Sequence, residues 1–185
     1  MNNPSDLVID FVNTYDVEGE SDSIPSPAAL TAWLGGRGLI GADDTADERD
    51  LATAVDLREA LREALRHNHD RPGGTGDDDH GRGLSRPFSA LPLRVALTAE
   101  GPVLEPVAMG VPGGLAGIAA AVMSARSDGM WPRLKVCTES TCQWAFIDSS
   151  KNRSRSWCSM RVCGNRTKTR AYRARRQMEP GSRHL

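Results

Sequence analysis

Four cysteines occur in this chain, all in its last third, spaced Cys137-x4-Cys142-x15-Cys158-x4-Cys163. Two close pairs separated by a short connection are the arithmetic of a four-thiolate zinc site, and no cysteine is left over. Tetrahedral sulfur also suits iron. The hydrophilic, basic surroundings and the lack of a ferredoxin-type run favour one Zn2+ per chain. Four protein ligands close the coordination shell, so the metal's job is expected to be structural and no catalytic residue is assigned. Two disulfides are the alternative, and they would need an oxidising compartment. The segment Met1-Asn2-Asn3-Pro4-Ser5-Asp6 has no positive stretch leading into an apolar one, which argues against secretion and for the cytoplasm. No apolar run approaches the roughly 18 residues of a membrane span, so no membrane partner is expected.

The cysteines lie in the most basic stretch of the chain. Residues 1–130 carry 21 acidic and 10 basic side chains, whereas residues 131–185 carry 3 and 13. An asymmetry of this size points to two jobs, the C-terminal one suited to a polyanion. Candidate contacts are Lys151, Arg153 and Arg155 between the cysteine pairs, Arg161 inside the second pair, and Arg166, Lys168, Arg170 and Arg173 beyond it. At 100° per residue Arg166, Arg170, Arg173 and Gln177 align. Thr167, Ala171, Ala174 and Met178 form a weakly apolar stripe expected to pack on the metal module. Arginine forks suit phosphate pairs and guanine edges, so double-stranded DNA is the expected partner. RNA is an alternative, with tryptophans engaging unpaired bases. So is an acidic protein surface, including the chain's own N-terminal part. Gly164 is expected to take positive φ in a knuckle turn. Asn165 is expected to cap a helix by accepting from a backbone N–H, and Trp157 to sit in the core of the module.

Other chemistry is weaker. His67-Asn68-His69 spells a nuclease acronym, but three adjacent letters at a helix end do not make that site, and histidine is electrostatically ordinary there. Asp77-Asp78-Asp79-His80 lacks the ligand spacing of an EF-hand. No nucleophile elbow, P-loop or dinucleotide fingerprint occurs. Asp10, Asn13 and Thr14 form a polar trio beside Phe11 and Tyr15. They could line a pocket for a small-molecule effector, or simply serve capping and core hydrogen bonds.

These residues need elements to position them. Val8, Phe11, Val12 and Tyr15 predict a helix over 7–15. Ser26-Pro27 starts another through Leu34, stopped by Gly35-Gly36. Thr45 and Glu48 have capping-box spacing for a long helix to His67, with Ala54, Leu57, Leu61 and Leu65 on one stripe. Residues 68–90 have little apolar content and read as a mobile loop. Leu93–Thr98 and Pro102–Ala108 around Glu100-Gly101 predict a hairpin. A helix is predicted over Leu115–Arg126, closed by Asp128-Gly129. Leu134–Cys137 and Trp144–Asp148 read as short strands, Ser149–Ser156 as a connector, and Val162 to about Met178 as a helix stopped by Pro180-Gly181.

The segment Trp157-Cys158-Ser159-Met160-Arg161-Val162-Cys163-Gly164-Asn165-Arg166-Thr167-Lys168 resembles the CGNR zinc-finger family, as do the upstream Cys137 and Cys142 and Phe146-Ile147-Asp148. In such proteins the finger follows an ABATE domain, described as a putative stress-induced transcription regulator. The stretch Asp10-Phe11-Val12-Asn13-Thr14, with Pro27 through Trp33-Leu34 and Gly38-Leu39, is similar to the start of that domain. The resemblance implies bacterial transcriptional regulation. The expectation is therefore an α+β protein. A helical and β-hairpin domain over residues 1–130 would sense an effector or mediate a homodimer. A four-cysteine finger over 131–185, with two short strands, a knuckle and a C-terminal helix, would contact DNA.

Overall fold

The computed structural model describes residues 3–69, 82–99 and 101–178. The chain is α+β: six α-helices combine with three separate two-stranded antiparallel sheets among the described residues. Helix α1 (Pro4–Val12) starts earlier than its apolar spacing predicts, because Asn3 caps it by accepting from Ser5 N–H and Pro4 is preset for a first turn. It also ends earlier. Thr14 N–H bonds Phe11 C=O, and the chain turns into strand β1 (Tyr15–Asp16), paired with β2 (Ser21–Asp22). In the turn between them the Asp16 carboxylate accepts from the Glu18 and Gly19 N–H groups.

Helix α2 (Pro27–Gly35) follows its expected Ser26 cap. Helix α3 (Glu48–His67) has a capping box two residues past the expected one: Asp47 accepts from Asp50 N–H, and Asp50 accepts from Asp47 N–H. Helix α4 (Arg82–Ser89) corrects the expectation of loop as far as residue 90. Leu84 and Leu91 are buried beside it, and Phe88 packs on the same core, so a sparse set of apolar residues gains a face only by docking on α3. The part of that expected loop over 70–81, with Asp77-Asp78-Asp79-His80, lies outside the described residues, as does Pro180-Gly181.

Strands β3 (Leu93–Thr98) and β4 (Gly101–Pro106) pair from Leu93↔Pro106 to Thr98↔Gly101. Helix α5 (Gly110–Ser127) begins five residues before the expected start, with Gly113 and Gly114 inside it. Both glycines permit close approach. A Cβ on Gly113 would stand 2.4 Å from the Ala108 carbonyl oxygen, and one on Gly114 would stand 2.7 Å from Ile40 Cγ2. A 3-10 turn over Trp131–Arg133 leads into β5 (Leu134–Val136), which pairs with β6 (Ala145–Ile147). The chain then passes through a π-turn (Met160–Gly164) into α6 (Asn165–Met178).

One apolar cluster joins the two ends of the chain. Phe11, Leu57, Leu61, Leu115 and Ile118 are buried with Leu134, Val136 and Ala145 of the β5–β6 hairpin. At roughly 25 cal/mol per Å2 of apolar surface, each of the larger of these side chains, the Phe, Leu, Ile and Val, stabilises the fold by about 1.5–3 kcal/mol. A second, smaller cluster contains the cysteines, Phe146 and Trp157.

Candidate metal centre and basic helix

The β5–β6 hairpin places the first cysteine pair at its tip. Cys137 N–H bonds Trp144 C=O at 2.9 Å, just past the strand, and Cys142 N–H bonds Glu139 C=O at 2.9 Å to close the knuckle. The second pair is set by the π-turn. Ser159 caps it through its hydroxyl, accepting from Val162 N–H, while Cys163 and Gly164 N–H both bond Ser159 C=O. The wide turn brings Cys158 and Cys163, five residues apart, to the same point. Thr138 N–H and its hydroxyl both donate to Ser156 C=O, tying the two knuckles together.

All four Sγ atoms lie within 4.8 Å of one another, with Cys142–Cys158 at 3.6 Å and Cys158–Cys163 at 3.7 Å. Zinc bonded to sulfur at about 2.3 Å separates tetrahedral sulfurs by roughly 3.8 Å. A disulfide needs about 2.05 Å. The four cysteines therefore fit one structural Zn2+. Three are buried and Cys158 is half-buried. Burial pushes the Cys142 thiol up to about 11 and raises Cys158 as well. Thiolates here are unfavourable without a cation, so metal entry must displace protons.

Buried charge fixes the frame around the cysteines. Lys135, on β5, meets Asp148, just beyond β6, at 2.8 Å, with side chains 3% and 0% exposed. Asp148 also accepts from Ser150 N–H and hydroxyl and from Arg155 N–H, which folds the connector back on the hairpin. Burial would raise the Asp148 carboxyl, but the Lys135 ammonium and these donors outweigh it and hold its pKa far below the usual carboxylate range. Glu139 is a second buried carboxylate, accepting from the Thr167 hydroxyl at 2.9 Å and pairing with Arg170 at 3.0 Å. Burial raises it, Thr167 and Arg170 lower it, and the net shift is downward.

The expected polyanion contacts occupy different settings. Arg155 points inward: Nε donates to Trp157 C=O, Nη2 donates to Cys158 C=O, and the guanidinium stands 5.0 Å from the centre of the Phe146 ring. Arg153 is half-buried, in a left-handed turn at φ 52°, and its carbonyl accepts from Lys135. Lys151, Arg161, Lys168, Arg170 and Arg173 are exposed. Arg166 pairs with Glu18 of the β1–β2 turn at 2.8 Å. The stripe expected to pack on the finger does not. Thr167 is half-buried against Glu139, but Ala171 and Ala174 are exposed, because α6 leaves the body after its first turn.

Local roles also differ from expectation. Gly164 has no positive φ; a Cβ there would stand 2.5 Å from Sδ of the exposed, flexible Met160 side chain and in ordinary contact, 3.4 Å, with Trp157 Cε3. Asn165 donates its amide to Arg161 C=O instead of accepting from an N–H. Trp157 does pack against the cysteine cluster.

The N-terminal trio is bound into the fold. Asn13 donates to Ala145 C=O at 3.0 Å and accepts from Ala145 N–H at 2.8 Å, completing the free edge of β6. The buried Thr14 hydroxyl donates to Phe11 C=O and accepts from Arg58, while exposed Asp10 pairs with Arg37 at 3.6 Å. Helix α3 adds a grip that sequence reading missed. Arg62 donates to Gln143 C=O and to Val12 and Tyr15 C=O, and Asn68 donates to Trp131 and Leu134 C=O. The signal available was an arginine inside the otherwise apolar stripe of α3.

Comparison with family models matches residues 133–176 to the CGNR zinc finger and residues 5–126 to ABATE, described as a Putative stress-induced transcription regulator. Neither description is enzymatic. A comparison with curated proteins gives no match. No helix among the described residues is long and apolar enough to cross a membrane.

Proposed function

From the premise that this chain belongs to the ABATE family and ends in a CGNR zinc finger, we propose that it is a transcriptional regulator that binds double-stranded DNA through α6. The observation that carries the reading is the helix itself. Over residues 165–178 it holds six arginines and lysines and no acid, and every residue from Lys168 to Gln177 is exposed. Zinc, when bound, supplies a fixed tetrahedral anchor. The π-turn then sets the angle at which α6 leaves the body, and Glu139 holds its first turns through Thr167 and Arg170. A 14-residue helix is about 21 Å long and 10–12 Å wide with side chains, dimensions suited to the roughly 12 Å major groove of B-DNA. The ABATE domain would carry regulation, by an effector or through a homodimer.

Binding of the zinc-loaded full chain to a labelled duplex, measured across a salt series, tests this. Six phosphate contacts predict a log–log slope of about −5. Binding with no salt dependence would replace DNA recognition with protein docking. Stronger binding to unpaired RNA than to duplex DNA at equal salt would favour the RNA alternative.

A further inference from the structure

Helix α6 has two unlike sides. Arg166 donates to Glu18 and to the Thr141 hydroxyl, Thr167 donates to Glu139, and Arg170 pairs with Glu139. At 100° per residue these three side chains span an arc of about 100°, and that arc faces the protein's own carboxylates. On the opposite arc lie Lys168, Tyr172, Arg175 and Arg176, all exposed. None of the four meets a carboxylate among the described residues. Their one mutual contact is the Arg176 guanidinium, 5.9 Å from the centre of the Tyr172 ring.

We infer that DNA meets α6 on this outward arc, with Lys168, Arg175 and Arg176 on phosphates and Tyr172 on base edges, while Arg166 and Arg170 position the helix. The assignment rests on the DNA-binding reading above and moves the contact face off the stripe of Arg166, Arg170 and Arg173 that the sequence pattern aligns. Charge decides the side. A phosphate approaching Arg166 meets Glu18, in a β1–β2 turn that also carries Glu20 and follows Asp16, and an approach to Arg170 meets the field of Glu139. Among the described residues, the charges on the outward arc are all cationic. Tyr172 is 55% exposed at the centre of that arc, an aromatic ring with no place in either apolar cluster. Its ring offers an apolar contact for a thymine methyl, and its hydroxyl can donate or accept at a base edge. Duplex DNA is favoured over duplex RNA because the deep, narrow major groove of A-form RNA does not admit side chains.

The test uses the zinc-loaded full chain, a duplex enriched from a random pool by the wild-type protein, and a scrambled duplex. The triple variant Lys168→Ala, Arg175→Ala, Arg176→Ala should reduce the magnitude of the salt slope by about 2.7. Tyr172→Ala should leave the slope nearly unchanged and cut the preference for the enriched duplex roughly tenfold. Arg166→Gln, whose side-chain partners are the exposed Glu18 and Thr141, should change the slope by less than about 0.5. Zinc content and circular dichroism confirm the fold of each variant. A slope lowered by Arg166→Gln but not by the triple variant, or an unchanged preference in Tyr172→Ala, overturns the face assignment while leaving DNA binding intact. If the wild-type chain shows no salt-dependent binding, the DNA reading falls and the assignment falls with it.

Discussion

Lys135 and Asp148 face each other at 2.8 Å with almost no access to water. A pair this buried is not in itself strong evidence of stability, since desolvating two ions offsets much of their attraction. Removing one partner is a different matter, because it leaves an uncompensated charge inside. Asp148→Ala is therefore expected to destabilise the chain by about 3–5 kcal/mol, read from the urea midpoint. The sign of the pH dependence follows from the lowered pKa of Asp148, and of Asp22, whose carboxyl burial would raise but which its bonds to Arg58 and Ile24 N–H lower instead. The unfolded chain takes up protons first as pH falls. The stabilisation is thus complete above the ordinary aspartate value, near pH 4, and is lost as pH drops below it toward the folded values. Asp148→Asn should flatten that acid limb. The cysteines respond in the same direction through metal: zinc must displace protons from thiols that burial holds high, so zinc affinity should fall as the medium is acidified.

Among the elements, the hairpin tip and the π-turn supply two zinc ligands each, and neither can hold the site alone. Cys158→Ser should release zinc, detected by a chromogenic chelator, and unfix the direction of α6, with loss of helical circular dichroism from the C-terminal segment. Spacing alone disclosed the four ligands, because a thiolate site needs only residue type and reach. The cationic helix behind them was equally plain. The partners of those cations were not: Glu139 and Glu18 come from a knuckle and a remote turn, and their pairing with Arg170 and Arg166 depends on how α6 is aimed. Asp148 was visible as a motif residue, but its partner is set by hairpin register, in which Lys135 stands opposite Phe146. Helix α4 is hard to read from sequence because Leu84, Phe88 and Leu91, though at helical spacing, are few and stand among Gly83, Ser85 and Pro87, which favour a loop.

For the whole molecule, the finger's hairpin is shared property. Leu134, Val136 and Ala145 complete the core of the ABATE-family part, and α3 grips the same hairpin through Arg62 and Asn68. Zinc removal by a chelator should accordingly lower the melting temperature of the entire chain in one cooperative transition. Two well-separated transitions would contradict this. The pairing of Asn13 with Ala145 spans 132 positions, and this gives the molecule a timetable. At about 5–20 residues per second, a ribosome delivers Ala145 roughly 7–26 s after Asn13. Helix α1 must wait through that interval with its amide unmatched and part of its apolar face uncovered. Sequence-distant closure of this kind slows folding, and it leaves α1 dependent on a hairpin made much later.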